Sequence, residues 1–273
     1  PATPADLAAD PGPTAGFLLG NGVPVTPYPA PVQALFGRLA LTFTDDELRE
    51  MLRGGLLLDG VAAHVLTERG FADLIGVRAG RPAARSARTA PGPYAIEQVS
   101  EHPDGSLLSV DVQPALARLH PLPGTRVLTR IRTPDGQDWG VGRCHFVNRL
   151  GGRTAVLAAT APSQLPGSDE GQRLLHTTVR FLEGDHPVLP LVDGGPHLVP
   201  HATRTGDTYR LATANGGGDP ADVRVRLPAP RRLRRATLLA PLSRPTDAAA
   251  VAHDDGWALE PALPHRGWAV FEW

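Results

Sequence analysis

The sequence contains no lysine and very little cysteine, methionine or aromatic residue. All 27 basic residues are arginines, and 28 acidic residues oppose them, so the formal net charge is −1. A chain so close to neutrality has no overall field to recruit nucleic acid or an anionic membrane, and we expect neither as a partner. A phosphate-binding loop ending in G-K-[ST] is excluded because its lysine is missing.

The single cysteine and the lack of long apolar runs bear on the cellular location of the protein. Cys144 is the single cysteine, so no intrachain disulfide forms and the redox compartment stays open. No apolar run approaches the roughly 20 residues of a membrane span. The opening stretch PATPADLAADPGPTAG has neither a basic segment nor an apolar core of a signal peptide. We therefore expect a soluble protein, cytoplasmic rather than secreted.

The composition divides the chain into three regions. Residues 1–31 are rich in proline and predict a linker or an irregular N-terminal segment. Residues 32–185 alternate strand and helix patterns and predict an α/β domain, with a β-rich insertion at about residues 94–150. Residues 186–273 contain short apolar runs between Gly, Asp and Pro turns, which predict a small antiparallel β-sandwich. The first residue is not Met, and we expect the chain to be the C-terminal piece of a longer polypeptide.

The first half of the α/β region predicts two strand–helix pairs. VQALFGRLAL, residues 32–41, predicts a buried strand. The helix that follows has Thr44 as N-cap and Glu47 three residues later, the spacing of a capping box. GLLLDG then predicts a strand covered on both faces, followed by a helix that ends at Gly70. Later, GRTAVLAAT predicts a further strand of the parallel sheet, and SDEGQRLLHTTVRFLEG predicts a helix.

Asp59 lies where the leucine-rich strand ends and the next helix begins. Catalytic groups of α/β enzymes occupy the carboxyl ends of parallel strands, so this position admits a functional role. A carboxylate there also accepts hydrogen bonds from the first free N–H groups of the helix. The sequence favours the second role, and we predict that Asp59 is a helix cap.

Nucleophile and metal patterns are weak. Cys144 falls inside a predicted strand and His145 points to the opposite face, so they do not form a nucleophile and base pair. His197 and His201 are four residues apart, but Pro200 between them disfavours a helical zinc pair. The arginine cluster RRLRR, residues 231–235, predicts a surface that pairs with carboxylates, and NGGGDP predicts a hairpin loop.

The carboxylates that remain do not form a recognisable catalytic pair. Glycosidases need two carboxyl groups about 5 to 10 Å apart. Glu97, Glu101, Asp111 and Glu260 qualify by residue type alone, and their spacing singles out none of them. The sequence therefore predicts no catalytic, cofactor-binding or metal-binding residue, and no cofactor.

GLLLDGVAAHVLTERGFADLIGV resembles the region that follows the catalytic barrel in bacterial glycoside-hydrolase-type proteins. There a strand, an LLDG turn and a helix ending in R-G-F/L are typical, and residues 20–77 carry the resemblance. It implies a glutamine-amidotransferase-like, or β-galactosidase-trimerisation-like, α/β domain followed by a β-sandwich. The amidotransferase cysteine has no counterpart, because Asp59-Gly60 stands where the nucleophile elbow would be. The resemblance implies oligomer contacts, or a border of the substrate cleft of a barrel outside this chain.

Three functions stay open on the sequence. The first is a non-catalytic C-terminal region of a glycoside hydrolase-like enzyme, partnered by the catalytic barrel of the same polypeptide and by other copies of the chain. The second is a module that binds carbohydrate or protein through the sandwich. The third is a stand-alone α/β hydrolase with a site around Asp59. The sequence leaves the sugar, its linkage and the oligomeric state undetermined.

Overall fold

The computed structural model divides the chain into two compact units. It describes residues 12–26, 28, 30–82, 94–99, 107–112, 115–133, 135–161, 168–228, 232–253 and 255–273. The second unit contains Ala15–Tyr28, Gly167–Thr177 and Asp185–Trp273, and the first unit contains the remainder.

The helices are short except for the last. Within the described residues they are α1 (Gly12–Gly20), α2 (Asp45–Met51), α3 (Gly60–Glu68), α4 (Ala72–Ile75) and α5 (Asp169–Glu183), with a 3-10 helix at Gly37–Leu41. No α-helix of the described residues combines the length and the apolar composition that a bilayer crossing requires.

The described strands of the first unit form one mixed sheet. They are β1 (Val32–Leu35), β2 (Gly55–Leu58), β3 (Val77–Ala79), β4 (Tyr94–Val99), β5 (Leu107–Val112), β6 (Leu119–Pro121), β7 (Arg126–Arg132), β8 (Asp138–Val147) and β9 (Arg153–Leu157). The main order is β1-β2-β9-β8-β7-β4-β5, and β6 pairs with both β3 and β8.

The parallel part of this sheet consists of β1, β2 and β9. β2 pairs in parallel with β1 on one side and with β9 on the other. The prediction that GLLLDG and GRTAVLAAT contribute strands to one parallel sheet is confirmed. On the other side of β9 the pairing is antiparallel: β8 pairs with β9, β7 with β8, and β4 with β7. The predicted β-rich insertion therefore extends the same sheet, and the fold is mixed α/β.

The leucines of β2 are covered on both faces, as the sequence predicts. Leu56 and Leu58 belong to the core of the first unit, whereas Leu57 points to the other face. All three are at most 1 % exposed. Burial of each such side chain contributes roughly 1.5 to 3 kcal/mol to folding, which makes this strand a centre of the unit's stability.

The strand predicted over residues 32–41 is shorter than expected. β1 ends at Leu35, and a 3-10 helix replaces the second half of the predicted strand. Gly37 has a φ of +63°, a left-handed conformation that breaks extended backbone and that glycine adopts without strain. The prediction of a single strand over VQALFGRLAL is therefore wrong, because its buried residues Leu35 and Ala40 lie in two different backbone conformations.

The predicted helix boundaries are confirmed. Thr44 and Glu47 form a reciprocal capping box at the start of α2. Gly70 follows α3 with a φ of +83°, and its N–H donates to the Thr67 carbonyl, as in an αL helix stop. α5 covers residues 169–183, within the predicted segment. These boundaries depend on local hydrogen-bond chemistry alone.

The second unit contains two antiparallel sheets. Its described strands are β10 (Leu191–Asp193), β11 (Leu198–Thr205), β12 (Thr208–Asn215), β13 (Arg224–Arg226), β14 (Arg235–Leu239), β15 (Thr246–Asp247), β16 (Ala250–His253), β17 (Gly256–Leu259) and β18 (Trp268–Glu272). The orders are β10-β13-β17-β16 and β11-β12-β18-β14-β15. Val225 and Leu259 of the smaller sheet share a core with Leu211 and Phe271 of the larger one, as expected for a sandwich.

α1 lies in a segment for which the prolines predict irregular chain. Pro13 occupies its first turn, where the missing N–H would have no intrahelical partner in any case. The apolar run Phe17–Leu19 follows, and Leu18 is buried. The prediction of irregular chain is therefore wrong for Gly12–Gly20, because Pro13 stands at the start of the helix, where proline is tolerated.

Candidate functional site

Asp59 is a buried helix cap with two backbone partners. It precedes α3, and its Oδ1 accepts a 2.8 Å hydrogen bond from the Ala62 N–H. Its Oδ2 accepts a 2.9 Å hydrogen bond from the Gly37 N–H, twenty-two residues earlier. Burial raises the pKa of the carboxyl to about 6, although the backbone hydrogen bonds oppose that shift. The cap prediction is confirmed, and the second partner is an addition to it.

The surroundings of Asp59 leave no room for a substrate. The residue is 1 % exposed. A Cβ atom on the adjacent Gly60 would lie 2.4 Å from the Ala158 carbonyl oxygen and 2.8 Å from the Ala117 methyl. The Gly60 N–H donates to the Ala159 carbonyl at 3.0 Å. The carboxyl end of β2 is therefore closed by packed backbone.

Cys144 and His145 lie on opposite faces of β8, as predicted. Cys144 is part of the apolar core, and burial raises the pKa of its thiol to about 12. His145 stacks on Phe181 with ring centroids 4.2 Å apart, and its Nε2 lies 3.0 Å from Thr178 Oγ1. Burial, with a smaller effect of the Arg126 charge, lowers the pKa of this imidazole to about 4. A neutral thiol and a neutral ring at these positions serve packing.

Of the four candidate carboxylates, the structure describes the side chains of Glu97 and Glu260, which belong to different units. Glu97 is buried, and its oxygens accept hydrogen bonds from Arg143 at 2.8 and 3.3 Å and from the Thr129 hydroxyl at 2.6 Å. Glu260 is exposed in the second unit. Asp111 lies in β5 opposite Ala95 of β4, and its side chain is outside the part of the chain that the structure describes. Glu101 also lies outside the described residues.

The histidines of PHLVPH do not share a helix. His197 stands in a turn and His201 in β11, in agreement with the predicted effect of Pro200. Within the described ranges no group of three or more potential ligands is arranged to hold a metal ion. Of RRLRR, Arg235 pairs with Asp247 on the larger sheet, and Arg231 lies outside the described residues.

A polar cavity of about 920 Å³ lies within the second unit, and sequence analysis did not identify it. The first half of α5, the turn after β10, β13, and the chain from Asn215 to Val223 line it. Ala258, which stands opposite Arg224 in the sheet, and Gly194 and Gly195 of the turn also line it.

Two buried amide side chains fix the loops around this cavity. The Gln172 amide donates to the carbonyls of Val192 and Gly195 at 3.1 and 3.4 Å, and accepts from the Gly195 N–H at 3.3 Å. The Asn215 amide donates to the carbonyls of Asp219 and Leu263 at 2.8 and 3.0 Å, and accepts from the Gly217 N–H at 2.8 Å. Because each amide uses donors and acceptor together, both loops are held in one geometry.

The glycine-rich loop at the cavity is not a hairpin, contrary to the prediction. It connects β12 of the larger sheet to β13 of the smaller one. A hairpin would join two strands of the same sheet, and here the glycines instead carry the chain from one sheet to the other. A glycine-rich stretch between two strand patterns has the same local signature in both cases, so the sequence could not separate them.

An ion cluster contributes Asp193 and Arg226 to the cavity lining. Asp193 Oδ1 lies 2.9 Å from His176 Nδ1, and Asp193 Oδ2 contacts Arg226 Nε. Arg226 Nε also lies 3.4 Å from Asp255 Oδ2. Burial alone would raise the pKa of Asp193, but the hydrogen bonds and charges of His176 and Arg226 outweigh it and lower that pKa. Asp193 is therefore ionised at neutral pH, and the Arg226 guanidinium compensates its charge.

His197 has a strained backbone at the cavity rim. Its φ of +80° is left-handed, a conformation that costs a residue with a side chain about 1 to 2 kcal/mol. Its N–H donates to the Gly20 carbonyl and its own carbonyl accepts from the Gly216 N–H, both at 3.0 Å. Strain that is held by surrounding hydrogen bonds is often found at ligand-binding sites.

Comparison with known proteins gives distant structural neighbours only. No protein-family model and no curated protein matches the sequence. A β-galactosidase from Bacillus circulans sp. alkalophilus matches 88 % of this chain at 12 % identity and a TM-score of 0.46. A catalytic mutant of Gan42B, a GH42 β-galactosidase from G. stearothermophilus, matches 97 % at 9 % identity and a TM-score of 0.49. The chain spans 31 % and 36 % of the length of these two enzymes, respectively.

Proposed function

We propose that this chain is a non-catalytic accessory region of a glycoside hydrolase-like enzyme. The observation that carries the proposal is the state of Asp59. Its carboxylate stands at the carboxyl end of a parallel strand, where α/β enzymes place catalytic groups. Here both of its oxygens accept backbone N–H hydrogen bonds, and the side chain is buried. The position serves the scaffold, and chemistry belongs to another part of the parent protein.

We propose that the α/β layer is an amidotransferase-like domain that lacks the nucleophile. The resemblance of residues 20–77 aligns Asp59-Gly60 with the position of the nucleophile elbow. A cysteine at Gly60 would push its Cβ to 2.4 Å from the Ala158 carbonyl oxygen, well inside van der Waals contact. Glutamine hydrolysis is therefore absent from this proposal. What remains is a rigid α/β layer that contributes surface, either to contacts between copies or to the border of a barrel's substrate cleft.

The first test is an activity assay of the 273-residue chain. A panel of aryl glycosides, including aryl β-galactosides and β-glucosides, should give no turnover above the buffer blank. Turnover that disappears when a carboxylate of this chain is replaced would contradict the accessory role.

The second test uses the longer polypeptide that the proposal requires. An open reading frame of barrel length, in frame and upstream, is expected. In that enzyme Asp59→Asn should keep kcat, because Asp59 neither touches substrate nor exchanges a proton. A loss of kcat by orders of magnitude in a stably folded Asp59→Asn variant would instead support the stand-alone hydrolase.

A binding role for the second unit is the alternative that a specific observation favours. The cavity of that unit has fixed loops, a strained rim residue and charged side chains, all features of ligand sites. The two roles are compatible, because the accessory role is argued from Asp59 in the first unit and the binding role from the cavity in the second.

A further inference from the structure

We infer that the cavity of the second unit binds a neutral saccharide through Asp222 and Arg224. This inference goes beyond the accessory role and stands on the second unit alone. At about 920 Å³ the cavity lies at the upper end of the range of small-molecule sites, which is about 300 to 1,000 Å³. It therefore accommodates more than one sugar ring.

The polar groups of the cavity require a ligand that both donates and accepts hydrogen bonds. In the part of the chain that the structure describes, Asp222 and Arg224 form no ion pair, and both are exposed to the cavity. Carboxylates only accept and guanidinium groups only donate. A hydroxyl group does both, so adjacent hydroxyls of one sugar ring can satisfy the two side chains together.

The charge balance of the lining favours a neutral ligand. Four aspartates and three arginines line the cavity, and Asp193 and Arg226 already contact each other. A strongly anionic ligand would meet the aspartates, and a cation would meet the arginines. A neutral polyhydroxylated ligand encounters neither repulsion.

Part of the cavity lining is apolar and suits the C–H face of a sugar ring. The half-buried Ala221 and Ala258 supply this apolar surface. Val223 and Leu259 are buried in the core of the unit, so the strand segments next to these two alanines are fixed. The loops at the cavity are held by Gln172 and Asn215, and binding would therefore order little additional chain.

The chain offers a matched pair of control residues for the test. Asp247 and Arg235 lie on the other sheet of the same unit, with side chains 73 % and 63 % exposed. Asp222→Ala and Arg224→Ala remove the proposed contacts, and Asp247→Ala and Arg235→Ala remove the same residue types elsewhere. Circular dichroism and thermal unfolding check that all four variants fold.

The experiment measures binding by the 273-residue chain. A glycan microarray of neutral and acidic glycans identifies the ligand, and titration calorimetry with the best neutral glycan gives Kd, with inorganic phosphate and Ca²⁺ as charged probes. Each cavity variant should raise Kd by about tenfold or more, because each loses a hydrogen bond to a charged group. The two control variants should leave Kd unchanged.

Three results would overturn the inference. The first is that the chain binds no neutral glycan on the array. The second is that it binds phosphate or Ca²⁺ more tightly than any glycan. The third is that Asp222→Ala and Arg224→Ala leave saccharide binding intact. The measurement contains no turnover step, so the accessory role of the chain can fail or stand independently of it.

Discussion

Asp59 and Gly37 are joined by a 2.9 Å hydrogen bond from the Gly37 N–H to Asp59 Oδ2, across twenty-two residues of chain. The other carboxylate oxygen accepts from Ala62 at the start of α3. One side chain therefore ties the 3-10 helix after β1 to the helix after β2. Asparagine has a single carbonyl oxygen, so it can replace one of these interactions and would present an amide N–H to the other donor.

The two contacts of Asp59 predict a graded loss of stability. Asp59→Ala should lower the free energy of unfolding by about 2 to 4 kcal/mol, because it removes a cap and leaves the half-buried Gly37 N–H without its acceptor. Asp59→Asn should fall between the wild type and Ala. Urea denaturation at pH 7 gives the three values. Thr44→Ala, which removes only the exposed cap of α2, should cost about 1 kcal/mol. Equal values for Asn and Ala would contradict the account.

His145 predicts a loss of stability in acid. Its pKa is lowered from 6.5 to about 4 in the folded protein, so the folded state binds fewer protons than the unfolded state between those values. Its contribution is complete above pH 6.5 and is lost as the pH falls toward 4, by about 2 to 3 kcal/mol at pH 4.5. His145→Phe keeps a ring on Phe181 without titrating. Comparison of unfolding free energies at pH 7 and 4.5 should therefore show a smaller acid loss in His145→Phe than in the wild type. Equal losses would show that another group is responsible.

The buried ion pair of Glu97 and Arg143 predicts strong coupling between the two residues. Both are less than 10 % exposed and are joined by two hydrogen bonds. Glu97→Leu leaves a buried guanidinium without its counter-ion and should cost about 3 to 5 kcal/mol. The double variant Glu97→Leu/Arg143→Met removes both charges and should recover most of that loss. A double-mutant cycle by chemical denaturation measures the coupling, and additive single effects would contradict it.

Substitution of alanine for Gly194 and for Gly218, both beside the cavity, is expected to change stability by very different amounts. A Cβ at Gly194 would lie 1.7 Å from the Asp222 carbonyl oxygen, and its φ is +130°. Gly194→Ala should therefore cost about 3 kcal/mol through strain and overlap. Gly218 has open space around its Cβ position, so Gly218→Ala should change stability by less than about 0.5 kcal/mol. Thermal unfolding of both variants makes the comparison, and a stable Gly194→Ala protein would refute the packing described here.

The sequence by itself determined the features that depend on neighbouring residues. The capping box of Thr44 and Glu47, the cap of Asp59 and the helix stop at Gly70 each use side chains and N–H groups within four residues. Their chemistry is complete without the rest of the fold. The leucine run of β2 also predicted a strand that is buried on both faces, since no polar side chain alternates with its leucines.

Only the tertiary structure decided what depends on residues far apart in the chain. β1 ends where Gly37 turns, and Gly37 is held by Asp59, which no local pattern of residues 32–41 reveals. The glycine loop after Asn215 crosses between two sheets because of the strands it meets, and the cavity beside it is lined by segments far apart in the chain, from α5 to β17. Pairing and empty space are relations between distant segments. Periodicity and propensity describe one segment at a time, and they contain no information about such relations.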